Sequence, residues 1–188
     1  MKKVFDDKIF DKYDIFEGLE HEFNDCFFQN SDFSGALFDG TELIDCTFSN
    51  CNLSMAKFEN ALLNKVKFIS CKVMGVDFSK CSKFLFTVSF ENCVLNYSIF
   101  QKNDLRNTMF KKCTLHEASF LETNLISAKF VECELDRAIF DHSNLEKADF
   151  STSRNYSFNP TINKMKNATF SMPDAVGLLS HLDINIVG

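Results

Sequence analysis

The chain has 188 residues, a length typical of one domain, and 45% of them are hydrophobic. Its formal net charge of −6 argues against direct binding of nucleic acid, which requires a basic surface. The sequence contains no run of about 18 apolar residues, which is the length needed to cross a membrane. The first ten residues, MKKVFDDKIF, are unlike a signal peptide because Asp6 and Asp7 interrupt the apolar stretch. We therefore expect a cytoplasmic protein without a membrane segment.

Residues 1–20 hold several apolar side chains at irregular intervals. We predict that this segment caps the N-terminal end of the fold, with Phe5 and Phe10 as candidates for an irregular first coil. A repeat begins directly after it.

The repeat has a period of five residues. From Phe23 to Phe78, and again from Phe90 to Phe150, every fifth residue is Phe, Leu or Val, which gives 25 such positions. The residue two places earlier is nearly always small, and seven of the eight cysteines stand there. A helix repeats every 3.6 residues and a strand every two, so neither explains this period.

A chain that turns one large and one small side chain inward in every five residues must bend around an axis. Phe and Leu alternate at the large positions, and cysteines recur at every fourth repeat, as at Cys93, Cys113 and Cys133. Like residues stack if one turn takes four repeats, so the pattern predicts a four-sided solenoid over residues 21–170. We expect Phe rings in two opposite columns, with coils about 4.8 Å apart.

The cysteines are best explained as small apolar fillers with free thiols. No CxxC pair or other metal-binding spacing occurs, and the four histidines are isolated. No catalytic or phosphate-binding motif is present either. The sequence predicts no enzyme activity, no metal and no cofactor.

The phase of the repeat slips by two residues in the segment 79–89. Phe84, Leu85 and Phe86 compete there for one inward position, and Leu85 fits the count back from Phe90. We predict a bulge at one corner of the solenoid, with Phe84 or Phe86 turned outward. The outward ring either packs over the bulge or contacts a partner.

Residues 171–188 read as a helix and a tail. Ser171 followed by Pro173 and Asp174 is a typical helix start. The last residues, INIV, alternate and could add a short strand. An apolar helix face larger than one coil end can cover indicates an interface, so we predict a homodimer through this segment. The predicted interface residues are Val176, Leu178, Leu179, Leu182 and Ile184.

The units CTLHE, ASFLE, TNLIS and AKFVE resemble those of the pentapeptide-repeat family, and the resemblance covers about residues 21–150. It implies an all-β fold, a right-handed quadrilateral β-helix with a short C-terminal helix. The ending NPTINKMKNATFSMPDAVGLLSHLDINI is similar to that of the quinolone-resistance subgroup of Qnr- and MfpA-like DNA mimics. In that subgroup the helix joins two subunits end to end, and the rod binds type II topoisomerases. Larger projecting loops found in many members are missing here.

Charge is banded along the chain. Residues 13–60 hold ten acidic groups and only Lys57 as a basic one, residues 61–120 hold nine basic and four acidic groups, and residues 121–150 hold seven acidic and three basic groups. Acidic bands can imitate DNA phosphates, whereas the basic middle band departs from a DNA mimic. We predict primary contacts at Glu132, Glu134, Asp136 and Asp141, and long-range steering by Asp32, Asp39, Glu42 and Asp45.

Two functions remain open from the sequence. The first is a DNA-mimicking rod that binds DNA gyrase or topoisomerase IV and confers quinolone resistance. The second is a scaffold that binds another protein along one flat face.

Overall fold

The structure is a computed structural model that describes residues 3–12, 21–182 and 184–185. Its strands are short and belong to the successive sides of a solenoid. They are β1 (Lys3–Asp6), β2 (Ile9–Asp11), β3 (His21–Asn24), β4 (Phe27–Gln29), β5 (Glu42–Ile44), β6 (Thr47–Ser49), β7 (Leu62–Asn64), β8 (Val66–Ile69), β9 (Val88–Glu91), β10 (Met109–Lys111) and β11 (Lys129–Val131). Short 3₁₀ helices span Phe78–Lys80, Pro160–Ile162 and Asp174–Leu182.

Parallel pairing between successive coils confirms the four-sided solenoid. One sheet has the order β1-β3-β5-β7 and the other the order β11-β10-β9-β8-β6-β4-β2. Phe28 pairs with Phe48 and Phe48 with Phe68, so each of these coils consists of four repeats. The other two sides are joined by isolated bridges such as Asp32 to Asn52 and Leu37 to Lys57. We name the sides face A to face D after their first repeat centres, which are Phe23, Phe28, Phe33 and Phe38 respectively.

The corners are turned mostly without glycine. The residue two places after the repeat centre has a positive φ, as at Asn30 (51°), Asp45 (53°) and Lys102 (59°), except after Phe78 and Phe150. Asn and Asp tolerate this left-handed conformation better than most residues, which explains the frequent Asn at corners. Backbone bonds to the next coil hold these corners, for example from Asn30 N to Ser49 O at 3.0 Å.

All 25 repeat centres are buried. Phe rings form columns on the opposite faces B and D, as predicted. Along face B from Phe28 to Phe170 the ring centroids lie 4.6–5.3 Å apart and the planes are nearly parallel. Leu and Val fill most of the other two columns. All eight cysteines are buried and free, and the thiols at the repeat positions donate to backbone carbonyls, as from Cys93 to Phe68 O at 3.3 Å.

The phase slip is a bulge on face A. Phe68 pairs with Phe90, so this coil is two residues longer than the regular ones. Phe84 and Leu85 are 67% and 55% exposed, whereas Phe86 is only 7% exposed and its ring meets that of Phe78 edge-on at 6.4 Å. The outward Phe84 agrees with the prediction. An inward Leu85 and a surface contact by Phe86 were wrong, because Phe86 fills the core of this coil.

Residues at the N-terminus extend the solenoid by part of a coil. Strand β1 pairs with β3, so that Phe5 lies on Phe23, and β2 pairs with β4, so that Phe10 lies on Phe28. Both ring pairs are stacked, with centroids 4.9 Å apart. Strands β1 and β2 therefore pair with residues 18 positions further along the chain, whereas the regular pairing joins residues 20 positions apart. The remainder of the predicted cap, residues 13–20, lies outside the described residues.

The C-terminal end departs from the repeat and then rejoins it. Tyr156 and Phe158 are buried off the five-residue count, and Lys164 and Thr169 return to the ladder by pairing with Asn144 and Asp149. The 3₁₀ helix Asp174–Leu182 follows. Within the described ranges, no helix is long and apolar enough to cross a membrane.

Candidate partner-binding surfaces

The four acidic residues predicted to steer a partner are spread around the rod. Asp32 lies on face C, Asp39 on face D, Glu42 on face A, and Asp45 at the corner between faces A and B. They separate because five-residue steps place consecutive repeats on different sides. Hydrogen bonds from Ser34, and more weakly from Asn52, hold the pKa of the Asp32 carboxyl below its usual range. Asp32 is therefore a carboxylate at neutral pH.

The second predicted cluster is more compact. Glu134 and Asp136 lie on face C, Glu132 lies at the corner before it, and Asp141 lies on face D. Three of the four carboxylates thus share one side of the rod near its C-terminal end. Of the two predicted acidic sets, this is the one whose residues the structure brings together.

Three of these carboxylates already face a basic side chain one coil below or above. Glu132 lies 4.0 Å from Lys112, Glu134 lies 3.8 Å from Arg154, and Asp136 lies 2.9 Å from the Nδ1 atom of His116. Each pair joins adjacent coils, as do four more ion pairs in the described part of the chain: Lys65 with Asp45, Lys102 with Glu122, Lys111 with Glu91, and Arg137 with Glu117. Opposite charges therefore form ladders along the rod axis.

These ladders were missed from the sequence, although opposite charges spaced one coil apart are visible in it. Their side chains are substantially exposed, so each pair contributes little to stability. Their larger effect is on the surface potential, because each cation offsets a carboxylate that a DNA mimic would present.

The basic middle band borders a groove beside the bulge. The groove has a volume of about 480 Å³ and runs across three successive coils at the corner of faces A and B. Lys65, Lys67 and Arg106 line it together with Met109, and no carboxylate lines it. Sequence analysis did not find this groove, because it depends on how the two extra residues of the bulge displace the neighbouring corner.

The C-terminal helix is fixed to the end of the solenoid. Asp174 accepts a hydrogen bond from Asn155 N at 2.9 Å, and the hydroxyl groups of Ser157 and Ser180 lie 2.9 Å apart. A Cβ atom on Gly177 would lie only 2.1 Å from Tyr156 O, so glycine permits this close approach.

Most of the apolar residues predicted to form a dimer interface remain accessible on this helix and tail. The exposed ones are Val176, Leu179, Leu182 and Ile184. Leu178 is different, because it packs against the hydrophobic core at the end of the solenoid and helps to close it. The predicted strand at residues 184–187 lies partly outside the described residues.

The described residues contain no group of three or more His, Cys, Asp or Glu side chains placed to hold a metal ion. What the surface offers is a set of flat faces with charged columns, one apolar bulge, one basic groove and one apolar terminal helix. Such features suit the binding of another macromolecule.

Coils of four repeats, stacked Phe columns and left-handed corners define a four-sided β-solenoid built from five-residue units. The family model described as "Pentapeptide repeat region" matches residues 21–84 and 83–157. The chain belongs to the pentapeptide-repeat family.

A solved structure shares this fold, and two others that are less similar are given for comparison. A trypsin-treated variant of QnrB1, a plasmid-mediated fluoroquinolone resistance protein, is 20% identical, with each chain fully covered and a TM-score of 0.54. A second trypsin-treated QnrB1 variant is 23% identical, also with full coverage of both chains, and has a TM-score of 0.49. HetL from Nostoc sp. strain PCC 7120, a pentapeptide repeat protein involved in heterocyst differentiation regulation, is 16% identical over 93% of this chain and 89% of its own, with a TM-score of 0.38. A search of curated proteins finds no significant match.

Proposed function

We propose that this protein is a non-enzymatic rod that binds a type II topoisomerase, DNA gyrase or topoisomerase IV, by presenting carboxylates in place of DNA phosphates. The observation that carries this proposal is the placement of Glu132, Glu134 and Asp136 on one side of the rod, close to a terminal helix with exposed apolar residues. The fold shared with a fluoroquinolone resistance protein supports it and makes quinolone resistance a candidate role.

The proposed geometry depends on a homodimer. Two rods joined through Val176, Leu179 and Leu182 would bring both copies of the C-terminal acidic side close to a two-fold axis. The carboxylates of Glu132, Glu134 and Asp136 in each copy would then stand in for DNA phosphates, which lie about 3.4 Å apart along each strand. The basic DNA-binding surface of the topoisomerase would then meet the acidic sides of both copies, one on each side of the two-fold axis.

Separate neutralisation of the two acidic sets tests the mimicry. Amide replacements keep side-chain shape and remove charge, and the readout is inhibition of supercoiling by purified gyrase, with and without a quinolone, over a range of salt concentrations. One variant carries Glu132→Gln, Glu134→Gln, Asp136→Asn and Asp141→Asn, another carries Asp32→Asn, Asp39→Asn, Glu42→Gln and Asp45→Asn, and a matched control carries Glu59→Gln, Asp77→Asn, Glu91→Gln and Glu122→Gln.

We expect the C-terminal set to weaken inhibition most, since it supplies contacts. The N-terminal set should mainly reduce the salt dependence, because long-range attraction is screened within about 8–10 Å at physiological ionic strength. The mid-rod control should change inhibition less than either. If neither predicted set alters inhibition while both variants fold, electrostatic mimicry is the wrong mechanism.

Light scattering tests the dimer. We expect the wild-type protein to have twice the chain mass at micromolar concentration, and Leu179→Asp to reduce it to the monomer mass, since a buried unpaired carboxylate is costly in an interface. Leu37→Asp is the matched control, because Leu37 is similarly exposed but lies on face D away from the helix. A wild-type monomer would contradict the proposal.

The ion-pair ladders and the basic band favour a second candidate, a scaffold that binds another protein along one face. In that case much of the surface charge is already neutralised within the rod, as in the pair of Arg137 and Glu117. Inertness toward gyrase at high molar excess would support the scaffold over the mimic.

A further inference from the structure

The bulge displays two large apolar side chains on a loop that is held in place. Its base is hydrogen-bonded to the coil below, from Ser82 N to Ala61 O and from Thr87 N to Leu63 O, both at 2.8 Å. Within the loop, Phe84 N donates to the hydroxyl of Ser82 at 3.3 Å. Phe84 and Leu85 are nevertheless mostly exposed, so the ring of Phe84 does not pack over the bulge.

The backbone at the tip has the same left-handed conformation as the regular corners. Leu85 has a φ of 52°, a left-handed conformation that a bulky residue adopts at some cost. Burial of its side chain in the core would compensate for that cost, but Leu85 is exposed and Phe86 is buried instead. Exposed apolar area on a loop whose base is fixed is typical of a binding element.

The basic groove lies directly beside this loop. Thr87 belongs both to the base of the loop and to the lining of the groove, where it stands with Lys65, Lys67 and Arg106. A smaller adjoining depression is lined by Phe86, Thr87 and Asp104 among others. The loop tip and the groove therefore form one continuous surface.

Only some of the basic side chains on this surface are paired with a carboxylate of the same chain. The guanidinium of Arg106 pairs with Asp104 at 2.6 Å, and Lys65 lies 3.3 Å from Asp45. Lys67 forms no ion pair with any residue that the structure describes. The lining of the groove contains three cations and no carboxylate, so its complement is an anionic group.

We propose that the bulge and groove are a docking surface for an acidic segment of a partner protein that carries a large apolar residue. Carboxylates of that segment would lie in the groove near Lys67, and its apolar residue would cover Phe84 and Leu85. This surface is separate from the proposed topoisomerase contact, because a basic DNA-binding saddle would be repelled by the groove. The inference does not depend on the proposed function.

A peptide titration followed by NMR tests the proposal on the intact chain. The probe is a short synthetic peptide in which Asp and Glu flank a central Phe-Leu pair. Three comparison ligands are the same peptide with Ser-Ser at the centre, a peptide with Lys and Arg as flanks, and a single-stranded oligonucleotide. Amide shift changes of the ¹⁵N-labelled protein report both the affinity and the location of binding.

We expect the acidic Phe-Leu peptide to bind most tightly and to shift amides of residues 82–89 and 106–109. The double change Phe84→Ser and Leu85→Ser should weaken it by about tenfold, as should the Ser-Ser centre, because each removes the apolar contact. Lys67→Gln should weaken it less and reduce its salt dependence.

Matched controls are Ile139→Ser, an exposed apolar residue on face D, and Lys129→Gln, an exposed lysine on face B. Neither should change binding. Shifts outside the bulge and groove, equal affinity for the basic peptide, or no binding at millimolar concentration would overturn the proposal. Preferred binding of the oligonucleotide would assign the surface to nucleic acid and refute it as well. None of these outcomes alters the gyrase test, since that test uses other residues.

Discussion

Replacing Phe110 by alanine tests the physical basis of the solenoid. The Phe110 ring is fully buried on face B, stacked between Phe90 at 5.3 Å and Phe130 at 4.9 Å. It also meets Phe100 and Phe120 of face D edge-on, at 5.8 and 5.7 Å. Removal of the Phe110 ring therefore removes a contact from each of four other buried rings.

The expected cost follows from these contacts. Burial of a Phe side chain contributes about 1.5–3 kcal/mol, and each favourable ring pair adds about 0.5–1.5 kcal/mol. The cavity cannot collapse easily, because the strands on both sides are fixed by the hydrogen bonds of the ladder. We therefore expect Phe110→Ala to lower the free energy of unfolding by about 3–5 kcal/mol.

Urea denaturation, followed by circular dichroism and by an independent probe of tertiary structure, measures this loss. Phe110→Leu is the control that keeps an apolar side chain but removes the ring, and it should cost less than Phe110→Ala, since leucine fills equivalent slots on faces A and C. Phe84→Ala should change stability by only about 0.5 kcal/mol, because Phe84 is exposed. A loss for Phe110→Ala no larger than for Phe110→Leu would refute the view that the filled core volume holds the coils together.

Two further predictions follow from the described packing. Gly177→Ala should detach the C-terminal helix and expose Tyr156, because the added Cβ would collide with Tyr156 O; faster amide exchange over residues 174–182 checks this, and unchanged exchange would contradict it. Burial raises the pKa of the Cys46 and Cys81 thiols to about 12, so the folded chain keeps protons that the unfolded chain loses above about pH 8.5. The free energy of unfolding should therefore fall as pH rises from about 8.5 toward 12, and it should fall less steeply in a variant with Cys46→Ala and Cys81→Ala.

The repeat itself made most of the fold predictable. Phe28, Phe48 and Phe68 are spaced four repeats apart in sequence and stack in space, because four repeats to a turn return the chain to the same face. The alternation of Phe and Leu likewise placed the rings on opposite faces. Periodicity is a local property of the chain, so it can be read without knowledge of tertiary contacts.

The sequence was less informative where the period breaks. At the bulge, three adjacent apolar residues fit one slot, and the choice of Phe86 over Leu85 depends on hydrogen bonds to Ala61 and Leu63 of the coil below. At the C-terminus, the apolar pattern indicated a helix but not that Leu178 would close the end of the core. Both outcomes depend on contacts between segments that no local pattern encodes.

The ion-pair ladders bear directly on the choice between mimic and scaffold. Pairs such as Lys112 with Glu132 at 4.0 Å and Arg154 with Glu134 at 3.8 Å are exposed and loosely joined, so each holds its carboxylate only weakly. A partner that offers arginine or lysine can replace such a cation at little net cost, since one charge contact is exchanged for another. The ladders therefore lower the long-range field of the C-terminal acidic side without blocking contacts there.

By contrast, Asp39 has Glu59 rather than a cation one coil away, so the N-terminal band keeps more of its field. The charge distribution therefore favours direct contacts at the C-terminal acidic side and long-range attraction by the N-terminal band.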